Sequence, residues 1–255
     1  MIEVKSRSLP ITNKKVIDIL SAHNPWDGKI LDLGAGDGYL SSLVAMELSK
    51  RGSDSLNKHL YACDLFPKEF KFDKIKCDFC DFNFPFPYQE NTFRAICSIE
   101  VVEHLENIFH YSREIHRILQ PGGVAIITTP NILNINSRLR FFMTGFPLLF
   151  NPLPLSTDNP QTLGGHINPV SYYFLLYSLK KAGFQKIKLH TDRFKKSAKL
   201  LMLLLYFPIK IFWELFFKRF KEKNKSVYEE NINFIYSINS LPILLSRTVI
   251  IEAIK

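Results

Sequence analysis

Cysteine is scarce in this chain: four residues in 255, all within the first hundred. So few, so unevenly placed, argue against a disulfide-stapled scaffold. Cys77 and Cys80 form a C-x-x-C pair that could serve a four-sulfur zinc site together with Cys63 and Cys97. Three of the four adjoin short apolar runs, however, which favours buried, reduced thiols at strand ends. The N-terminal stretch MIEVKSRSLPITNKK lacks an apolar core followed by a small-residue cleavage site, so a cytoplasmic location is expected. No internal repeat is present. With 46% apolar and 22% charged residues the chain is too apolar for disorder, and it is long enough to bury a core as one domain over residues 1–255.

Acidic residues are depleted in one region only. Between Lys180 and Lys225 fourteen Lys or Arg face three acids, so this segment carries about +11 of the overall +9 and the remainder about −2. Charge so localised argues against a general nucleic-acid surface and for a local anionic contact such as lipid headgroups or phosphates.

The apolar pattern alternates between short strand-like runs and helical periods. ITNKKVIDILSAH over 11–23 reads as an amphipathic helix stopped by Asn24-Pro25, and LSSLVAMELSKR as a helix ended by Gly52. KILDL, HLYACDL, DKIKCDF, FRAICSI and VAIITTP read as buried strands, with a helix over about 108–119 stopped by Pro121-Gly122-Gly123. A helix over 170–182 and the strand FQKIKLH follow, and SRTVIIEAIK supplies a last strand. Strands alternating with helices predict an α/β fold with a mainly parallel sheet, helices on both faces and ligands bound outside the carboxyl ends of the strands. Two insertions interrupt it: 131–169, rich in Asn and Pro and without clear periodicity, expected to be a substrate lid, and 192–242.

Glycine too is sparse, at eleven residues, yet three stand at 34, 36 and 38 in ILDLGAGDG. A strand, this turn and a helix bring a bare backbone and unpaired amides close to a ligand. Asp64, ending the second strand, can accept both hydroxyls of a ribose. Asp78, ending the third, can accept from an adenine amino group with Phe79 packed nearby. Together these strand ends describe a site for an adenosine without phosphates.

On these motifs the chain resembles the class I S-adenosylmethionine-dependent methyltransferases. ILDLGAGDGYL, YACDL, the stretch KCDFCDFNFPFPYQENTFRAICSIEVVEHL and REIHRILQPGGVAIITTPN match their ordered motifs over residues 28–131, and the match resumes over 166–190. The resemblance implies a Rossmann-like sheet of seven strands with the last antiparallel. It places Asp32, Gly34, Gly36 and Gly38 around the methionine part of S-adenosylmethionine, Asp64 and Leu65 on the ribose, Asp78 and Phe79 on adenine, and Ser98 in the floor.

The fourth strand runs into SIEVVEHL. Glu100, Glu103 and His104, with His166 further on, form a set that could bind a divalent ion such as magnesium. The same E-x-x-E-H is similar to that of small-RNA 2′-O-methyltransferases and some ubiquinone O-methyltransferases. Alternatively His104, with His166 as second candidate, acts as the base for a hydroxyl acceptor.

From Leu200 to Phe217 the chain is almost wholly apolar, broken by Pro208, Lys210 and Glu214, and it is flanked by RFKKSAK and KRFKEKNK. The proline and the two charges argue against a bilayer span, and the flanks favour a segment lying among anionic headgroups. A helical pair covering the sheet edge, or a dimer contact, remains the alternative. Two apolar insertions at the cofactor face predict an amphipathic, lipid-linked, glycan or quinone-type acceptor and a peripheral place on the inner face of the membrane. The rival readings are a metal-dependent RNA 2′-O-methyltransferase and a non-catalytic cofactor-binding protein; the oligomeric state is open.

Overall fold

The computed structural model describes residues 4–52, 55–155 and 165–255. Its elements run α1 (Pro10–Ala22), β1 (Ile30–Leu33), α2 (Tyr39–Lys50), α3 (Leu56–His59), β2 (Leu60–Asp64), β3 (Cys77–Phe79), β4 (Phe93–Ile99), α4 (Ile108–Ile118) and β5 (Leu119–Pro130). They continue with α5 (Ile135–Thr144), α6 (Tyr172–Ala182), β6 (Lys186–Thr191), α7 (Lys196–Lys223), α8 (Lys225–Ser237), α9 (Leu241–Leu245) and β7 (Thr248–Ile254). The sheet has seven strands in the order β3-β2-β1-β4-β5-β7-β6, with β7 antiparallel to both of its neighbours. This is the expected α/β architecture.

The strands' period of two divides the core. Leu31, Leu33, Ile96, Ala125, Ile127, Val249 and Ile251 face α4 and α6, where Tyr111, Ile115, Leu175 and Leu179 meet them. Ile30, Ala62, Cys97, Val124, Ile126 and Ile250 face α1 and α2, whose Val16, Leu20, Val44 and Leu48 close the other side. Local signals set the helix ends. Asn107 and Ser171 accept from the amides of His110 and Phe174 at the starts of α4 and α6, and Gly183 stops α6 at φ +111°.

Pro121-Gly122-Gly123 does not separate α4 from β5 by a loop. The strand begins at Leu119, opposite Phe93, and its next partner step is Val124 opposite Ala95, so the three residues bulge out of the ladder. A Cβ at Gly123 would lie 2.9 Å from the Gln120 carbonyl oxygen and from the Leu119 side chain. The third strand is shorter than its sequence suggests, three residues rather than seven, because only Cys77, Asp78 and Phe79 pair with β2. All four cysteines are unpaired, three of them buried, and burial pushes the Cys63, Cys77 and Cys97 thiols up, as expected for reduced core residues.

The insertions are more regular than their composition suggests. The first contains α5, capped by Asn134 and ended at Gly145, with residues 156–164 outside the described part. The second folds as α7, α8 and α9. Helix α7 runs through Pro208, which forgoes one backbone bond on an exposed side of the helix. A third core cluster of Ile135, Ala198, Met202, Leu244 and Leu245 joins α5, α7 and α9, and the buried Asn131 amide donates to the Ile243 and Ser246 carbonyls, tying this layer to the end of β5. Leu244 is fully buried at its centre. Truncating it, Leu244→Ala, is expected to lower unfolding free energy by about 2–5 kcal/mol, measured by denaturant titration.

Candidate active site

At the carboxyl end of the sheet the order reverses between β1 and β4, and the loops after them diverge. A cavity of about 730 Å³ opens there, within the range of small-molecule sites. Asp32, Gly34, Gly36, Asp64, Leu65, Glu100, His104 and His166 line it, as do several residues not singled out from sequence.

The glycine turn is held from both sides. Gly34 and Ala35 amides donate to the Cys63 carbonyl at 2.9 and 3.1 Å, and the Gly36 amide donates to Asp64 Oδ2 at 2.8 Å. Asp64 Oδ1 accepts from the Phe66 amide, so one carboxylate fixes the turn, the end of β2 and the loop beyond it. Gly34 and Gly38 have φ of +80° and +88°; a Cβ would strike Val101 at the first and Phe70 and Phe72 at the second. Asp32 is buried in β1 and accepts from Ser41 Oγ at 2.6 Å. Burial raises its carboxyl to about 7 despite that bond.

Four residues assigned from sequence do not line the cavity: Asp78, Phe79, Ser98 and Gly38, the last of which leads into α2. Asp78 and Phe79 do not reach the cavity; Asp81 and Phe82 do. Asp78 and Phe79 still pair with β2, opposite Cys63 and Asp64, whereas Asp81 and Phe82 follow the end of β3. Asp78 instead accepts from Tyr88 Oη and pairs with Lys76, and Phe79 is exposed. The sequence D-F-C-D-F holds the same dipeptide twice, three residues apart, and the second copy clears the strand end. Ser98 does not line the floor. It is fully buried one residue before the rim at Ile99, and its hydroxyl accepts from Tyr111 Oη at 2.6 Å.

Glu100 is also separated from the metal-ligand group proposed for it. Its φ is +54°; its amide and carboxylate engage Thr128, and burial raises its carboxyl to about 7 against the pull of Arg247. Glu103, His104 and His166 do converge: each offers a ligand atom within 4.8 Å of the others. Glu103 is fully buried, with Oε2 accepting from Thr129 and Oε1 lacking a hydrogen-bond partner among the described residues, and burial with the nearby Glu100 charge pushes its carboxyl well up. His104 Nδ1 contacts the Gly165 carbonyl at 2.9 Å, an arrangement that makes Nδ1 the protonated nitrogen and leaves the ring lone pair on Nε2. Burial lowers its pKa. His166 packs edge-on to His104, with ring centroids 4.9 Å apart, and against Phe150; burial and the neighbouring imidazole lower it to about 4. Both rings are therefore neutral at pH 7.

The N-terminal arm was not foreseen. Lys5 to Pro10 run along the cavity, and Arg7 bonds Asp37 at 2.6 Å and Glu69 at 2.5 Å while Lys71 bonds Asp37 at 2.5 Å. Burial favours the neutral Asp37 carboxyl, but Lys71 and Arg7 outweigh it and hold the group below the usual carboxylate range. Arg247 and Thr248, after α9, complete the rim. Isolated polar residues in loops carry no periodic signal by which the sequence could have revealed them.

A family model described as a methyltransferase domain matches residues 9–189. A ubiquinone/menaquinone biosynthesis C-methyltransferase of Desulfotalea psychrophila is 29% identical over 138 residues, covering 51% of this chain and 54% of that protein. A ubiquinone biosynthesis O-methyltransferase of Rickettsia canadensis is 25% identical over 170 residues, 66% of this chain and 69% of that protein. The chain spans about half the length of the first of these relatives and about two thirds of the second. In fold it is similar to an S-adenosylmethionine-dependent methyltransferase of Archaeoglobus fulgidus, with a TM-score of 0.55 at 15% identity over 95% of this chain and 94% of that one. The phosphoethanolamine N-methyltransferase 2 of Haemonchus contortus gives 0.51 at 17% identity, over 95% and 53%. A glycine turn braced by Asp64 at the switch point of a 3-2-1-4-5-7-6 sheet, matched by the family model across most of its length, makes this chain a member of the methyltransferase-domain family.

Proposed function

We propose that the enzyme methylates a hydroxyl of an amphipathic or lipid-linked small molecule, with His104 as the base. The observation that carries this is an imidazole in the cavity whose pKa burial lowers, oriented through Nδ1 by the Gly165 carbonyl, with Leu149 and His166 on the same lining. S-adenosylmethionine, when bound, supplies an electrophilic methyl group. The chain's own part is to position and deprotonate. Asp64 and Asp81 at adjacent strand ends are acceptors for ribose and adenine, and Asp32 lies below the turn where a cationic ligand group would favour its charged form. His104 Nε2 takes the acceptor's proton as the oxygen attacks in line, a step in which orientation dominates. Two relatives named for ubiquinone biosynthesis support a greasy acceptor.

A second reading gives the same histidine to a metal. Among the described residues Glu103 Oε1 and His166 Nδ1 are buried without hydrogen-bond partners, and with His104 they offer a three-ligand set suited to an ion of intermediate softness. A bound cation would supply the acceptor with a lower hydroxyl pKa, and Glu103, His104 and His166 would hold it.

Calorimetric titration with S-adenosylmethionine checks the strand-end assignment: Asp81→Ala is expected to weaken binding about tenfold or more, the worth of one lost buried hydrogen bond to a charged group, and Asp78→Ala to change it less than about twofold. His104→Ala is expected to lower kcat by about 10²–10⁴-fold on a hydroxyl acceptor. His104 works only when neutral, and burial lowers its pKa, so the acid limb of kcat/KM should fall below pH 6.5, the ordinary imidazole value. A limb at or above that value would assign the base elsewhere. Exhaustive chelation followed by zinc, manganese or magnesium decides the metal: turnover unchanged by chelation removes it, and loss with recovery on one ion establishes it.

A further inference from the structure

From Leu200 to Ile209 helix α7 is apolar on every side, yet only half of that stretch is covered. Ala198, Leu201, Met202, Leu205 and Ile209 repeat at three- and four-residue spacing and pack on α5 and α9. The opposite side carries Leu200, Leu203, Leu204, Phe207 and Ile211, all exposed, Leu203 by 77%, and past the end of the cluster Phe212 and Phe216, in line with Leu205 and Ile209, are exposed as well. At 1.5 Å per residue the uncovered apolar face from Leu200 to Ile211 is about 17 Å long. A helix apolar all round belongs inside a core or against a membrane. Helix α5, packed beside α7, adds Phe142 and Met143, exposed by 87% and 74%.

The charges identify the cover. Lys196 and Lys199 stand at the start of α7 and Lys218, Arg219, Lys221 and Lys223 at its end, against Glu214 and Glu222 only. The first pair sits at the positive end of the helix dipole, where cations are unfavourable unless an anion faces them, and the first turn holds no acid. A second copy of the chain does not satisfy this. Paired along α7 in parallel, each basic end meets itself; paired antiparallel, it meets the other basic end. A span across the bilayer fails as well, although α7 is long and apolar enough by composition: it would strip Ala198 and Met202 from their cluster and carry Lys210 and Glu214 into hydrocarbon. An anionic lipid surface fits both features, with the apolar face among the acyl chains and the cations among phosphates.

We propose that α7 is a docking helix that lies in the interface of an anionic bilayer and holds the cavity rim against it. The rim is near by construction. Lys195, just before α7, donates its amide to the Leu245 carbonyl, and the Arg247 amide, at the cavity edge, donates to the Arg193 carbonyl. An amphipathic acceptor could then pass from the lipid surface to His104 without crossing bulk water. That last step rests on the acceptor class proposed above; the docking itself does not.

The test is flotation of the full-length protein with vesicles of phosphatidylcholine alone or with 30% phosphatidylglycerol (roughly the anionic content that recruits basic helices), without acceptor or cofactor. Binding to the anionic vesicles at low salt, weakened at least tenfold by the pair L203E and F207E and by Lys218→Glu with Lys221→Glu, supports the proposal. S-adenosylmethionine binding by the variants, measured by calorimetry, shows that they fold. Four outcomes overturn it: no binding to anionic vesicles; equal binding to both vesicle types; resistance to alkaline carbonate extraction, which marks a span; or a dimer by light scattering that L203E and F207E dissociate, which makes a second copy the cover. None of these bears on turnover with soluble acceptors, so failure here leaves the methyl-transfer reading to its own tests.

Discussion

The bond from the Gly36 amide to the Asp64 carboxylate is the constraint around which the site is organised. At the switch point the chain after β1 must turn away sharply from its neighbours, and a turn built on Gly34, Gly36 and Gly38 has no side chain of its own to fix it. Asp64 does so from the adjacent strand, spending one lone pair on each of two amides. A carboxylate has about four acceptor positions, so the same group remains able to accept from a ligand. The glycines make a bare floor possible, and Asp64 makes it stationary.

Around that floor, burial sets the chemistry. Asp32, Glu100 and Glu103 are all shifted toward the neutral acid by desolvation, while His104 and His166 are shifted toward the neutral base. The deep part of the cavity therefore carries little fixed charge before a ligand arrives. A cationic cofactor or an ion entering it changes protonation as it binds, which couples occupancy to pH. Fixed charge is paired beside the turn, where Arg7, Lys71, Asp37 and Glu69 tie the N-terminal arm to the glycine turn and to the segment after β2.

The two insertions form a layer of their own. Their common cluster of Ile135, Ala198, Met202, Leu244 and Leu245 is small beside the two clusters on the sheet faces, and Asn131 links it to the end of β5. Such a layer can vary its outer surface without disturbing the sheet, since nothing in the main core depends on the residues that α7 presents outward. An exposed apolar face is thus compatible with a stable domain, and its energetic consequence falls on whatever it meets.

The sequence by itself determined the sheet, the glycine turn and the acids at the ends of β1 and β2, because strand alternation, glycine freedom and helix stops are local properties. It also marked Glu103, His104 and His166 as a group of chemical interest. It did not decide which acid of D-F-C-D-F lines the cavity, since that depends on the path of the chain after β3, nor that Ser98 is sealed beneath Tyr111 or that Glu100 turns back to Thr128. The arm carrying Arg7 was silent because its partners are 30 and 62 residues away. For α7 the sequence supplied a greasy, basic segment; only the packed structure showed that one half of it is used internally and the other half is left facing outward.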